Sequence, residues 1–477
     1  MTNDFQRRTF IQMSAAGSAA FLGASSLAAG QAYAKPPVLI SPGCRTGKVK
    51  IAKIYLGQAN AHWPSPAVDI NKERQKYEDD FAQMKDDFAD VDFVVNELIS
   101  KPEQIQPVAD KIKEADGLLL IHLTMGIRSL LTPLLQFEKP TALFAAPYSG
   151  HEWVSFGDMR KQKEGALLEC FLTSDVHQLA EAVRPFRAIH HLHEAKILNI
   201  TARDMSADFV QPMQDKFGVQ FIKIDRQRVL DAYESIPDRQ AQDEARKWIA
   251  EAEKVVEPSE DEIFKSCKLA LAFEKLLNEE NATVITADCY GTMYHQLPAF
   301  PCIGFTRLND MGLGGICESD LRSAMTHIIF QGLTGRPGFI SDPTFDTSTN
   351  SAILAHCLGS TRMNGPEGDR APYRLRTIME RQEGAVPQVR MKIGQKVTQA
   401  QLPNADQLLY FTGDIIDAPQ GPRGCRTKIT VQIDGDAEKL WQNWTQGLHR
   451  VTCYGNVVKD LKRFCRYKQI ECIHEVA

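Results

Sequence analysis

The sequence predicts an α/β protein: two parallel-sheet α/β domains followed by a β-rich, barrel-like C-terminal domain. Over 47–186, and again over 187–345, short apolar runs alternate with helical stretches. That is the rhythm of β-α units, whose crossover connections make the strands parallel. From 346 to 477 the rhythm gives way to alternating apolar and polar runs divided by Gly, Pro and Asp turns, the pattern of half-buried strands. At 477 residues the chain exceeds what one hydrophobic core spans. It is 43% hydrophobic and 24% charged with a net charge of −5. This excludes the basic footprint of a nucleic-acid binder or of a protein held on an anionic membrane.

Residues 1–34 fall outside the predicted fold. Gln6-Arg7-Arg8-Thr9-Phe10-Ile11-Gln12 is a twin-arginine pattern, followed by a weakly apolar run rich in Ala, Gly and Ser. Ala32-Tyr33-Ala34 then forms an A-x-A cleavage site. Arg7 and Arg8 therefore mark a signal for the twin-arginine (Tat) export machinery, and the expectation is a folded protein delivered to the bacterial periplasm. The apolar run is too short and too rich in Gly and Ser to anchor the chain, so no stable membrane insertion is expected after cleavage. A Pro/Gly linker, 35–46, leads into the first domain.

In the first domain 49–57 alternates as a strand and 71–90 is a charged helical pattern. The apolar runs 91–95 and 117–122 bracket a helical stretch at 102–114; a helix at 125–136 and a strand at 141–145 follow. In the second domain, strands at 195–201 and 219–224 flank a helix. Helical patterns at 239–255 and 260–278 are parted by Pro258, and Ser259 with Glu262 forms a capping box that starts the latter. A strand at 283–287 enters the stretch on which the chemistry centres, 283–343. There Asp288 ends the strand, the chain turns around Cys302 and bends at Gly312, Gly314 and Gly315. It then passes Cys317-Glu318-Ser319-Asp320 into a helix at 321–333. In the last domain strands are predicted at 388–393, 407–411 and 426–433, then a helix at 437–446, a strand at 450–454, a helix at 457–467 and a strand at 470–473.

Asp288 and Glu318 both sit where strands end and loops begin, the edge on which α/β proteins carry their chemistry. Asp320 reads equally well as a helix N-cap. The flanks of Glu318, Gly-Gly-Ile-Cys before it and an apolar helix after it, place its carboxylate near the interior. There it needs a cation, either a metal or an Arg. The twelve histidines form no compact metal motif. His190-His191-x-His193 precedes a strand and reads as structural, whereas His356 and His449 lie at the ends of apolar runs. The eleven cysteines are scattered without a C-x-x-C pair. Neither a disulfide scaffold nor a zinc ribbon is indicated, and most read as small buried hydrophobes. No dinucleotide fingerprint, Walker A loop or G-x-S-x-G elbow occurs.

The order of features resembles the L-fucose and L-arabinose isomerase superfamily. The residues that carry the resemblance begin with Asp288-Cys289, Pro301-Cys302 and Cys317-Glu318-Ser319-Asp320 leading to Gly335-Arg336-Pro337. They continue through Ala355-His356-Cys357, Gly394 with Val397-Thr398, Gly424-Cys425-Arg426, and His449 with Tyr454-Gly455. The resemblance implies a divalent metal, usually manganese, held by two carboxylates and a histidine. Carried over by position, these are Asp288, Glu318 and His449, with Asp288 and Glu318 also catalytic, although the family generally has Glu near the place of Asp288. It further implies aldose–ketose interconversion of a free sugar through an enediolate, and a homo-oligomer in which a neighbour's first domain closes the site. Oxygen and nitrogen ligands with open positions suit manganese better than a closed zinc site. Trp63, Trp153, His356 and Arg426 are candidate substrate-binding residues. Two other functions fit the same sequence: a periplasmic sugar-binding protein without turnover, and a metal-dependent lyase or hydrolase acting on a larger glycan.

Overall fold

The computed structural model describes residues 39–477; Arg7, Arg8 and the rest of the predicted signal lie outside them. The first sheet contains β1 (Val49–Leu56), β2 (Val91–Ile99), β3 (Gly117–His122), β4 (Thr141–Ala145) and β5 (Leu168–Leu172). Their order is β2-β1-β3-β4-β5, and every pair is parallel. Leu118, Leu119, Leu120 and Ile121 of β3 are all fully buried. That leaves no alternation along the strand, as expected of a parallel sheet covered on both faces. The helix Gln178–Glu194 leads to the next layer, and its last turns carry His190, His191 and His193.

The second layer begins with β6 (Lys196–Ile200) and β7 (Gln220–Ile224); β8 (Lys254–Val255) belongs to a later sheet, and β9 (Val284–Ala287) and β10 (Gly314–Cys317) complete this one. The order is β10-β9-β6-β7, again all parallel. The predicted capping box forms: Ser259 accepts from the Glu262 amide, and Glu262 returns a bond to the Ser259 amide at 2.8 Å. Two details differ from the sequence expectation. The apolar turn around Cys302 is a helix, Cys302–Asp310. Of the glycine bend, only Gly312, with φ 82°, turns the chain, because Gly314 and Gly315 lie within β10. A Cβ on Gly315 would stand 2.3 Å from Phe305 Cα, so the glycine lets strand and helix backbones touch.

The C-terminal part contains β11 (Phe339–Asp346), β12 (Ser351–His356), β13 (Tyr373–Arg376), β14 (Val386–Val389), β15 (Lys396–Asn404), β16 (Gln407–Asp417), β17 (Thr427–Ile433), β18 (Arg450–Tyr454) and β19 (Glu471–His474). Strands β8, β13 and β14 make a small mixed sheet. The others run β15-β18-β11-β12-β17-β16-β19, and β15 also bonds to β16. The chain is therefore a pair of parallel α/β layers followed by a closed antiparallel ring, with β19 attached parallel to β16. The predicted linker is bonded across the fold. Gly43 N donates to Gly312 O at 2.7 Å, and Arg45 Nη1 to Asn278 Oδ1 at 2.7 Å. Among the described residues no helix is long and apolar enough to cross a membrane.

Candidate metal centre

The register of the ring builds most of one site. β11 sets Asp342 opposite Ala355 of β12, and Ser341 opposite Arg450 of β18. His356 ends β12 and His449 directly precedes β18, so both stand at the rim that Asp342 occupies. Glu318 arrives from the second sheet as the residue after β10. Glu318 and Ser319 are both left-handed, with φ 62° and 58°, which is uncommon for non-glycine residues and concentrates at functional sites. Two bonds pin the turn: Ser319 N donates to Ala287 O at 3.0 Å, and Ser319 Oγ to Asn199 Oδ1 at 2.6 Å.

These four side chains converge. Glu318 Oε1 is 3.6 Å from His356 Nε2, and Glu318 Oε2 is 3.7 Å from His449 Nε2. Asp342 Oδ1 is 3.2 Å from His449 Nε2, and the two imidazole rings are 5.2 Å apart. The two Glu318 approaches exceed hydrogen-bond distance, and the Asp342 approach lacks hydrogen-bond alignment. Among the described residues, Asp342 Oδ1, His356 Nδ1 and His449 Nε2 are buried without a hydrogen-bond partner. Each such orphan costs about 1–3 kcal/mol. Glu318, His356 and His449 offer ligand atoms within 4.8 Å of one another, so the donor set fits a cation.

Electrostatics favour the same occupant. Asp320 caps the helix Leu321–Thr334 through Oδ1, accepting from Arg322 N at 3.0 Å and Ser323 N at 3.1 Å. Its Oδ2 accepts from His449 Nδ1 at 2.9 Å. One carboxylate thus caps the helix and turns Nε2 of His449 toward Glu318 and Asp342. Burial disfavours a charged His449, but the Asp320 and Asp342 carboxylates outweigh it and push its pKa up to about 10. Burial, with the His449 charge adding, holds His356 down at about 4, neutral and able to ligate. Burial raises the Glu318 carboxyl; His449 opposes this, and Asp342, Asp320 and Asp288 add to it. Three carboxylates around one imidazole leave a surplus of negative charge for a cation to neutralise.

The other predicted residues are placed elsewhere. Asp288 Oδ2 accepts from Thr292 N at 2.9 Å and Thr292 Oγ1 at 2.8 Å, with Arg203 Nε at 3.4 Å. It caps the turn after β9 and contributes no atom to the cluster of Glu318, His356 and His449. Arg426 spends Nε on Thr377 O at 2.6 Å and Nη2 on Thr377 Oγ1 at 3.1 Å. Trp63 packs edge-on against His151, and Trp153 against His122 and Phe156, all beside the first sheet. A cavity of about 210 Å³ lined by Cys289, Met293, His295, Phe300 and Glu383 includes none of the four converging side chains. Asp342 is the residue the sequence did not single out. Its only local signal is an acid following the buried pair Ile340 and Ser341.

No protein-family model matches the chain. It is similar to a sulfoquinovose isomerase of Alkalicoccus urumqiensis, with 21% identity over 308 residues, 59% of this chain and 66% of that protein. A sulfoquinovose isomerase of Clostridium sp. (strain MSTE9) is 22% identical over 305 residues, 60% of this chain and 66% of its own length. The chain thus spans just under two thirds of the curated relatives it matches. The likeness is to sugar isomerases, at a distance.

Proposed function

We propose that the chain is a metal-dependent sugar isomerase acting on a free sugar, with Glu318, Asp342, His356 and His449 holding the ion. The observation that carries this reading is the convergence of those four side chains, three with buried orphan atoms, where the second sheet meets the ring. The similarity to sulfoquinovose isomerases supports the same class of reaction. Carboxylate and imidazole donors without sulfur suit manganese. When bound, such an ion lends Lewis acidity to the adjacent carbonyl and hydroxyl oxygens of a sugar.

The chain's own part is to move a proton between neighbouring carbons through the sugar's enediolate. Glu318 is suited to it, because its half-buried carboxylate stands between His356 and His449 and burial raises its pKa from the ordinary value. Asp320 keeps His449 oriented, and His356 stays neutral beside it. The twin-arginine pattern supports export to the periplasm, and the family resemblance supports a homo-oligomer; both belong to this proposal.

The test is metal analysis of the purified chain together with an aldose and ketose panel that includes sulfoquinovose. We expect bound manganese, interconversion lost on chelation and restored by the ion, and a drop of about 10²–10⁴-fold in kcat for Glu318→Gln. Sugar binding without interconversion, with Glu318→Gln binding sugar as well as the parent, would instead identify a binding protein. A natively loaded chain free of divalent metal would sink the reading.

A further inference from the structure

A second cluster of ligating groups stands apart from the first in chemistry and in residues. Cys357 follows His356 on the same strand end, and neighbouring strand residues point to opposite sides. Cys425 lies in the glycine-rich loop before β17, and Glu380 in the loop after β13. The two thiols and the carboxylate offer atoms within 4.8 Å of one another. Cys425 Sγ donates to Glu380 Oε1 at 3.3 Å. The Tyr290 hydroxyl donates to Glu380 Oε2 at 3.4 Å and lies 3.9 Å from Cys357 Sγ. Cys357 is buried with Cys302 and Cys317 in one apolar cluster, while Glu380 is exposed at its mouth. Three groups from separate parts of the chain therefore meet, with the Cys357 sulfur buried, Cys425 half-buried and Glu380 at the solvent side.

We propose that Cys357, Cys425 and Glu380 form a site for a thiophilic divalent ion of the zinc type, independent of the oxygen- and nitrogen-lined centre. The spacing suits it. Tetrahedral zinc with sulfur near 2.3 Å and oxygen near 2.0 Å sets a sulfur–oxygen edge of about 3.5 Å and a sulfur–sulfur edge of about 3.8 Å. The 3.3 Å between Cys425 and Glu380 is already close to that edge. Binding releases the two thiol protons to solvent, and the ion joins both sulfurs and Glu380 Oε1, leaving a fourth position for water at the open side. Tyr290 holds the other carboxylate oxygen and so orients the ligand. The donor sets sort the two ions: sulfur selects the soft one, and carboxylate with imidazole the hard one. His356 and Cys357, adjacent in sequence, hold one ligand of each.

The test is titration of the full-length, chelator-treated, anaerobically purified chain with cobalt(II) alone, then with zinc. We expect the thiolate-to-cobalt charge-transfer band in the near ultraviolet to saturate at one sulfur-bound cobalt per chain, apart from any cobalt taken up without that band by the other centre, and to be bleached by zinc. The band should survive in His449→Asn, which alters only the other centre, and vanish in Cys425→Ser. Glu380→Gln, at an exposed position that leaves the core intact, should weaken cobalt binding at least about tenfold while keeping sulfur absorption. Absence of a thiolate band in the folded parent chain overturns the proposal, as does a band unchanged in Cys425→Ser. A Cys357–Cys425 disulfide in the intact mass of the freshly purified chain also overturns it.

Discussion

Asp320 Oδ2, 2.9 Å from His449 Nδ1, orients that imidazole without itself joining the cluster of Glu318, His356 and His449. Asp320→Asn should therefore lower manganese affinity about 10–100-fold, measured by titration, while leaving sugar specificity unaltered. Asp288 offers the contrast. Its oxygens are bound to Thr292, so Asp288→Asn should cost about 1 kcal/mol in denaturant unfolding and leave metal content unchanged. Both acids follow apolar strands, and that is why the sequence made Asp288 and Glu318 look alike. They are distinguished by the threonine four residues after Asp288, which turns the chain back onto its carboxylate, and by the left-handed backbone at Glu318, which aims it away. His356, expected to touch substrate, stands among the candidate ligands instead. Asp342 was illegible because its role comes from strand register, which pairs it across β12 and β18, and not from its neighbours in sequence.

At the scale of elements, the alternation of strand and helix was legible because it is a local pattern of burial. The strands β11 and β12 were not. Phe339, Ile340 and Ser341 are all buried, so no period of two shows, and Pro343 argues against a strand. The ring also contains an internal ion pair that no local pattern announces. Arg450 is fully buried, with Nη2 2.8 Å from Glu475 Oε1 and Nη1 2.8 Å from Gln401 Oε1. Arg450→Met would leave the Glu475 charge uncompensated and should destabilise the chain by about 3–5 kcal/mol in urea unfolding. Arg450→Met combined with Glu475→Leu should recover much of that loss.

At the scale of the molecule, the segment after residue 39 acts as a strap. The Cys44 thiol and the Gly47 amide reach Glu194 of the helix Gln178–Glu194. His190 on the same helix donates from Nε2 to Gly47 O at 3.1 Å and lies with Nδ1 3.0 Å from Asp116. Both partners accept, so the ring carries both protons. Burial opposes that charge, but Asp116, Cys44 and Glu194 prevail and raise its pKa to about 10. A raised folded pKa gives stability that is fully present below the ordinary value of about 6.5 and lost as pH climbs toward 10. Thermal unfolding should therefore show a fall in Tm between pH 6.5 and pH 10 that is smaller in His190→Gln. For export, replacing Arg7 and Arg8 by Lys together should leave the precursor in the cytoplasm on cell fractionation.

The pairing of Arg450 with Glu475 also bears on when the centre can come into being. His449 directly precedes Arg450, whose buried charge is met among the described residues by Glu475, 25 residues further along the chain. Until Glu475 has emerged from the ribosome, the chain holds Glu318, Asp342 and His356 but lacks the acid that neutralises the neighbour of His449. Under the proposed function, loading with metal therefore waits for Glu475 to emerge. Under that reading, the ion is drawn from the compartment in which the ring closes.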